Sequence, residues 1–247
     1  MKLSVCMATY NGEKYVEQQL RSILLQLGAD DEVVVSDDGS TDRTCDIIES
    51  MQDPRIHLYH ANCHNATLNF EEALQHITGD IVFLADQDDV WLDGKVERCV
   101  KELESCDLVT TDSIVTDDNL RPIHPSFFAL YHSGKGLLRN IIYSTYYGSC
   151  MAFRRSVLER ALPFPQTAEI GHDLWLGLVA EMTSQVQFID TPYVLYRRHA
   201  GTVTSTKRIW HRSSRSLWQK LRTRCLILKH IIHYKTRQGK EYARQSR

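Results

Sequence analysis

The last 41 residues of this 247-residue chain are almost devoid of acid: Glu241 stands alone among 13 Lys and Arg side chains, a net of +12. Because the whole chain carries only -2, residues 1–206 hold 16 basic against 30 acidic groups and stand at -14. A basic end on an acidic body points that end at a polyanion, either nucleic acid or an anionic membrane face. The seven cysteines include no C-x-x-C pair and no Cys/His cluster at zinc spacing, which argues against a structural zinc site and for a reduced, cytosolic setting. No stretch reaches the roughly 18 uninterrupted apolar residues of a membrane span. The opening "MKLSVCMATYNG" reads as a short strand rather than the apolar region of a signal peptide. The expected location is cytoplasmic, on the inner face of the cell membrane without crossing it. Internal repeats and low-complexity linkers are lacking too.

What is present suits one sizeable α/β domain with an appendage, since 43% of the residues are hydrophobic and the length allows a proper core. Strand and helix patterns alternate over the first hundred residues. "KLSVCMA" is a predicted strand, followed by "TYNG" and a helix from about Glu13 with apolar positions Val16, Leu20, Ile23, Leu24 and Leu27 at three- and four-residue spacing. "DEVVVSDDGS" is a buried strand running into a loop, and Thr41 reads as an N-cap for the next helix. "RIHLYHA", "NFEEALQHI" and "GDIVFLA" continue as strand, helix, strand. Short, uniformly apolar strands between helices predict a sheet covered on both faces, with ligands beyond the carboxyl ends of its strands. Three polar clusters fall at that edge: "TYNG", "SDDGSTD" and "DQDD".

The last cluster poses a question of charge. In "FLADQDDVWL" an apolar run stops at Asp86, Asp88 and Asp89. Crowded carboxylates repel, so the loop is either well solvated or shares a cation. Hard oxygen ligands favour Mg2+ or Mn2+, and magnesium completes its shell with water and substrate phosphates. The matching ligand is a nucleoside diphosphate.

"ATYNG", "VVVSDDGSTD" and "GDIVFLADQDDVW", each after its own predicted strand, resemble the nucleotide-binding half of the family 2 glycosyltransferases, which have the GT-A fold, a Rossmann-like α/β architecture with a mixed, mostly parallel sheet flanked by helices. The resemblance covers residues 1 to about 205. The "DQDDVW" form is most similar to bacterial surface-polysaccharide enzymes often labelled rhamnosyltransferases, of the kind that build O-antigen and capsule. It implies that Thr9 and Tyr10 cradle the base, that Asp38 accepts from the uracil or thymine N–H, that Asp86 contacts the ribose and that Asp88 binds the metal. Thr9, Tyr10 and Asp37 also suit plain turn formation, and Asp89 would support the site from behind. In "GHDLW", Asp173 matches the family's catalytic base, or else caps the helix that follows; His172 stands where the family has Glu. In "YRRHAGTVT", His199 would complete the metal shell or touch the diphosphate, or is a surface residue, and Arg197 or Arg198 would add a charge. Leu68 stands before Asn69 where many relatives have a basic residue. "YYGSCMAF" would wall the acceptor cavity, with Gly148 allowing close backbone approach.

The resemblance divides the chain into a glycosyltransferase domain, residues 1–206, with a nucleotide-binding half (1–105) and an acceptor half (106–206). Residues 207–247 form a basic tail. From Trp210 to Ile232 the apolar residues Trp210, Leu217, Trp218, Leu221, Cys225, Leu228, Ile231 and Ile232 gather within roughly 140° of a helical wheel, with Arg212, Arg215, Arg222 and Lys229 outside that sector; Leu226 and Arg224 break the pattern. Such a helix either docks on its own domain or lies in an anionic membrane surface. Nucleic acid fits less well, because the body is acidic. The implied activity is inverting, metal-dependent transfer from a UDP- or dTDP-sugar to a glycan or lipid-linked saccharide acceptor. The rivals are a non-catalytic sugar-nucleotide or glycan-binding protein of the same fold and a nucleotidyltransferase. The latter usually has a Gly-rich basic phosphate loop, which "ATYNGEKY" lacks.

Overall fold

The computed structural model describes residues 1–167, 169–199 and 216–245. Four strands, β1 (Leu3–Thr9), β2 (Glu32–Asp37), β3 (Ile56–His60) and β4 (Ile81–Asp86), pair in parallel in the order β3-β2-β1-β4. Beyond β4 the sheet becomes mixed. β8 (Met151–Arg154) runs antiparallel to β4 and to β6 (Leu108–Thr116), and β6 is parallel to β9 (Val186–Arg197). The two-residue β5 (Val90–Trp91) closes that edge on β9, and β7 (Pro122–His124) pairs with β6.

Alternate residues of a strand point to opposite faces, and here both faces are apolar. Cys6, Val34, Val82 and Leu84 join one buried cluster with α3 (Ala66–His76), α7 (Arg155–Ala161) and α8 (His172–Thr183). Val5, Met7, Val33, Val35, Ile81, Phe83 and Ala85 join a second with α1 (Val16–Leu24), α2 (Thr44–Ser50) and α4 (Lys95–Glu102). The continuous apolar runs in the sequence follow from this two-sided burial.

The local readings need three corrections. The chain after "TYNG" first makes a turn, with the Tyr15 amide bonded to the Gly12 carbonyl, and α1 starts at Val16. Thr41 does not cap α2: Arg43 holds the N-cap position without a side-chain bond, and the carboxylate of Asp42 just before it accepts from the Thr44 amide at 3.0 Å. Asp173 is not a cap either, because Gly171 occupies the N-cap of α8 and puts Asp173 in the first turn. The irregular stretch after Leu120 folds as β7, α5 (Phe127–Tyr131) and α6 (Leu137–Tyr143).

A ninth helix, α9 (Leu217–Gln245), lies against the body through Thr223, Ile227, Ile231 and Tyr234, all buried. Trp210, Arg212 and Arg215 of the expected tail helix lie outside the described residues. No helix among the described residues is long and apolar enough to cross a membrane.

Candidate active site

The three polar clusters meet at the carboxyl ends of β1, β2 and β4 and are tied into one unit. The Gln87 side chain brackets the peptide of Tyr10: its Oε1 accepts from the Tyr10 amide and its Nε2 donates to the Tyr10 carbonyl, both at 2.9 Å. Gly12 lies so close beneath that a Cβ there would sit 2.2 Å from Gln87 Oε1. Asn11, at φ 47°, donates its amide to Ser40 Oγ at 2.8 Å, and its Oδ1 accepts from the Thr41 amide at 2.9 Å. Asn69, buried below, donates to the carbonyls of Thr9 and Ser36 and so pins the ends of β1 and β2 together.

The two acids of "SDDGS" both organise backbone. Asp37 accepts from Thr9 Oγ1 at 2.8 Å and from the Ser40 amide and hydroxyl. Thr9 is thus buried against Asp37, while the Tyr10 ring is exposed. Asp38, 6% exposed, accepts three amides of the loop before α3: Cys63 and His64 on Oδ1, and Asn65 on Oδ2 at 3.1 Å. A carboxylate offers about four acceptor positions, so one on Oδ2 remains.

Basic side chains approach the acidic strand end from several sides. His199 Nε2 lies 2.8 Å from Asp88 Oδ2, and its ring packs on Tyr15 with centroids 4.6 Å apart. Arg197 is buried beneath them. Its amide donates to Asp89 Oδ1 at 3.0 Å, Nε to the Asp88 carbonyl at 2.7 Å, and the guanidinium reaches the Asp118 carbonyl and Gln18. Every one of those contacts lies within the chain and staples β9 to the acidic turn, so of the two candidate bases Arg197 and Arg198, the first already has its guanidinium engaged by Asp88, Asp118 and Gln18. Lys95, fully buried, was missed by the sequence reading. Its Nζ donates to the Ser149 carbonyl at 2.6 Å and sits 3.8 Å from the Trp91 ring centroid. Burial pushes this amine down to about 8, against the attraction of Asp89 and Asp86. The signal was present, because Lys95 is the first base after the acids in "DQDDVWLDGK".

The acids themselves are far from ordinary. Asp86 is pushed up to about 7 by burial and then by the charge of Asp88, with a hydrogen bond from Tyr147 opposing and Asp173 adding to the repulsion. Asp89, with no exposed surface, is raised well above the usual carboxylate range by burial and by both neighbours. Asp173, although it comes from the far half of the chain, lies near enough to Asp86 to add to this repulsion. Its Oδ1 accepts from the Leu174 amide at 2.6 Å. Next to it, His172 stacks on Phe70 at 3.9 Å with Nε2 buried and unpartnered, and burial lowers its pKa below the ordinary histidine value. Gly148 admits both: a Cβ there would lie 3.1 Å from His172 Nε2 and 3.6 Å from Asp173 Cβ.

The residues fit a divalent cation at Asp88. Two ligand atoms at about 2.1 Å from one octahedral ion stand about 3 Å apart when adjacent, close to the 2.8 Å between Asp88 Oδ2 and His199 Nε2. Two protein ligands leave positions for phosphate and water. Three metal-capable side chains also converge at Asp37, Cys45 and His60, with ligand atoms within 4.8 Å of one another. There, however, both Asp37 oxygens already accept hydrogen bonds, and burial and Asp37 push the Cys45 thiol up to about 12.

Comparison with known proteins gives the same neighbourhood. The profile described as Glycosyl transferase family 2 matches residues 4–162. An uncharacterized glycosyltransferase of Nostoc sp. is 31% identical over 217 residues, covering 81% of this chain and 66% of the relative. The Escherichia coli protein WfaP, named a UDP-Glc:alpha-D-GlcNAc-diphosphoundecaprenol beta-1,3-glucosyltransferase, is 24% identical and shares 83% of this chain and 80% of its own length. Among solved structures, S. aureus TarS 1-349 in complex with UDP-GlcNAc superposes with a TM-score of 0.67 at 23% identity, over 82% of this chain and 60% of that one. The chain therefore spans about two thirds of the Nostoc relative's length and less of TarS. The sheet order and flanking helices are those of the GT-A fold that TarS shares.

Proposed function

The chain belongs to glycosyl transferase family 2, and from that premise we propose an inverting, metal-dependent transfer of one sugar from a UDP- or dTDP-sugar to a lipid-linked glycan in bacterial polysaccharide biosynthesis. The observation that carries the reading is the contact of Asp88 Oδ2 with His199 Nε2 at 2.8 Å, beside Asp86, which feels the charges of both Asp88 and Asp173. One motif of the nucleotide half and two of the acceptor half thereby converge.

In this reading Thr9 and Tyr10 shape the floor for the base, whose N–H donates to the remaining Oδ2 position of Asp38. Asp86 accepts from the ribose. Asp88 and His199 hold the cation, Mg2+ or Mn2+, which when bound neutralises the departing diphosphate, the largest electrostatic demand of such a transfer. Asp173 takes the proton of the acceptor hydroxyl as that oxygen attacks the anomeric carbon from the face opposite the leaving group. His172 faces a fully apolar neighbour in Phe70 and keeps Asp173's turn in place. The domain extends over residues 1–206, with nucleotide binding in 1–105 and acceptor binding in 106–206, and residues 207–247 form the basic appendage.

An acceptor on an isoprenoid diphosphate, such as the one in WfaP's name, is presented at a membrane face, and the proposed enzyme works there as a peripheral protein. The test is hydrolysis or transfer of UDP- and dTDP-sugars with and without manganese. Metal-dependent turnover lost in Asp88→Ala supports the reading. Nucleotide binding by a folded protein that turns over no donor would favour a binding module instead.

A further inference from the structure

Helix α9 has two apolar faces, and among the described residues only one is covered. Thr223, Ile227, Ile231 and Tyr234 are buried against the body, with Tyr234 edge-on to Trp175 at 6.0 Å. On the opposite side Trp218 is 81% exposed and Leu221, Leu228 and Ile232 are exposed with it, as is Cys225. Their spacing of three and four residues confines these five to a sector of about 80° at 100° per residue. The stripe does not end with α9. Arg224 donates to the carbonyl of Ile142, joining α9 to α6, where Leu138, Ile142 and Tyr143 are again exposed apolar side chains. Two helices thus present one apolar surface.

The charges beside that surface select its occupant. On the helical wheel Arg222 and Lys229 flank the stripe on one edge, Arg224 and Lys235 on the other; Arg222 is ion-paired with Glu169 at 3.3 Å, so Lys229, Arg224 and Lys235 carry the net positive charge of the flanks. Residues 217–245 contain eight Lys and Arg and the single acid Glu241. A spacing of three and four also suits a seam between two copies of the helix, but flanks of one sign would then face each other across the seam and repel. A basic-flanked apolar stripe is instead complementary to an anionic bilayer, where apolar side chains enter the headgroup boundary and the bases meet lipid phosphate.

We infer that the combined α6–α9 surface, made by Trp218, Leu221, Leu228 and Ile232 with Leu138 and Ile142, is the bilayer-docking face of this protein, and that the inner face of α9 fixes its orientation on the catalytic domain. The choice of a bilayer rests on the proposed lipid-linked acceptor; the surface itself stands on exposure and charge. The arrangement corrects the either-or reading of the tail, because one helix both docks on its domain and keeps a second face outward.

The experiment is co-sedimentation of the full chain with vesicles of phosphatidylglycerol or of phosphatidylcholine. Binding to phosphatidylglycerol is expected to exceed binding to phosphatidylcholine and to weaken as salt rises. The pair Trp218→Ser and Ile232→Ser should lose at least tenfold in affinity, and so should Leu138→Ser with Ile142→Ser. Lys229→Gln with Lys235→Gln should lose about 25-fold, at about fivefold per basic residue. Circular dichroism and vesicle-free donor hydrolysis should match wild type in each, which separates loss of docking from loss of fold. Unchanged sedimentation of the α9 or the α6 pair would overturn the inference. So would a wild-type dimer in light scattering that Trp218→Ser with Ile232→Ser converts to monomer. Donor turnover by wild type without any vesicle binding would sink this surface and spare the proposed reaction; vesicle binding without turnover of any donor would do the reverse.

Discussion

Replacing Asp38 by Asn should destabilise the protein before any nucleotide is added. Both oxygens of Asp38 are committed, Oδ1 to the amides of Cys63 and His64 and Oδ2 to that of Asn65. An asparagine of the same shape can keep its oxygen on the first two. Its amide nitrogen then confronts the Asn65 N–H, donor against donor, and one bond is lost. A hydrogen bond to a charged group contributes about 1.5–3 kcal/mol and a neutral one about 1 kcal/mol. The lost bond and the two weakened ones together exceed 3 kcal/mol, but the loop can turn partly to water, so the expected cost is about 2–3 kcal/mol. With a urea slope of about 3 kcal/mol/M, the unfolding midpoint should fall by about 0.7–1 M. Under the proposed function the variant also loses affinity for UDP, measured by calorimetry below the unfolding range. An unchanged urea midpoint would refute the bond accounting, whatever happens to UDP.

Other outcomes follow from the same geometry. Asp88→Ala and His199→Ala should each lower manganese-dependent donor turnover by about a hundredfold or more, with little effect on metal-free UDP binding. Asp173→Asn should reduce transfer by about 10²–10⁴-fold while leaving the affinity for UDP and manganese intact, which a combined kinetic and calorimetric comparison checks. Manganese affinity should be full at pH 8 and decline as the pH falls through about 7, because Asp86, raised to about 7 by burial and Asp88, holds a proton that a cation at Asp88 drives off; a flat profile between pH 6 and 8 would contradict this. Gly148→Ala, whose Cβ would stand 3.1 Å from His172 Nε2, forces that ring and Asp173 to yield by a few tenths of an ångström. A drop in kcat of about tenfold with donor KM unchanged is expected from steady-state rates.

Much of the parallel half of the sheet was legible in sequence because its strands are buried on both faces and read as unbroken apolar runs, as in "VVVSD" and "IVFLAD". The polar edge was legible for the same reason, since each run ends abruptly at the cluster it presents. What could not be read was pairing at a distance. Nothing near Arg197 in sequence reveals that Gln18, Asp88, Asp89 and Asp118 consume it, so a spare charge was expected where the fold has a staple. Lys95 escaped notice because a lysine at a helix start is ordinarily a surface residue, and only the folded sheet buries it under Trp91. Thr41 looks like the cap of α2 in sequence, but the helix starts later, after Arg43, because the Asn11 side chain takes the Thr41 amide and Asp42 takes that of Thr44. In the tail, the wheel merged two faces that the structure separates: Ile231 turns inward and Ile232 outward.

The central claim is that one divalent cation sits between Asp88 and His199 and meets the diphosphate of the donor. Anomalous scattering from a crystal grown with UDP and manganese measures this directly. A single strong peak about 2.1 Å from Asp88 Oδ2 and His199 Nε2, in contact with UDP phosphate oxygens, is the predicted result. A peak at Asp37, Cys45 and His60 instead, with UDP bound and the Asp88–His199 contact intact and metal-free, would contradict it.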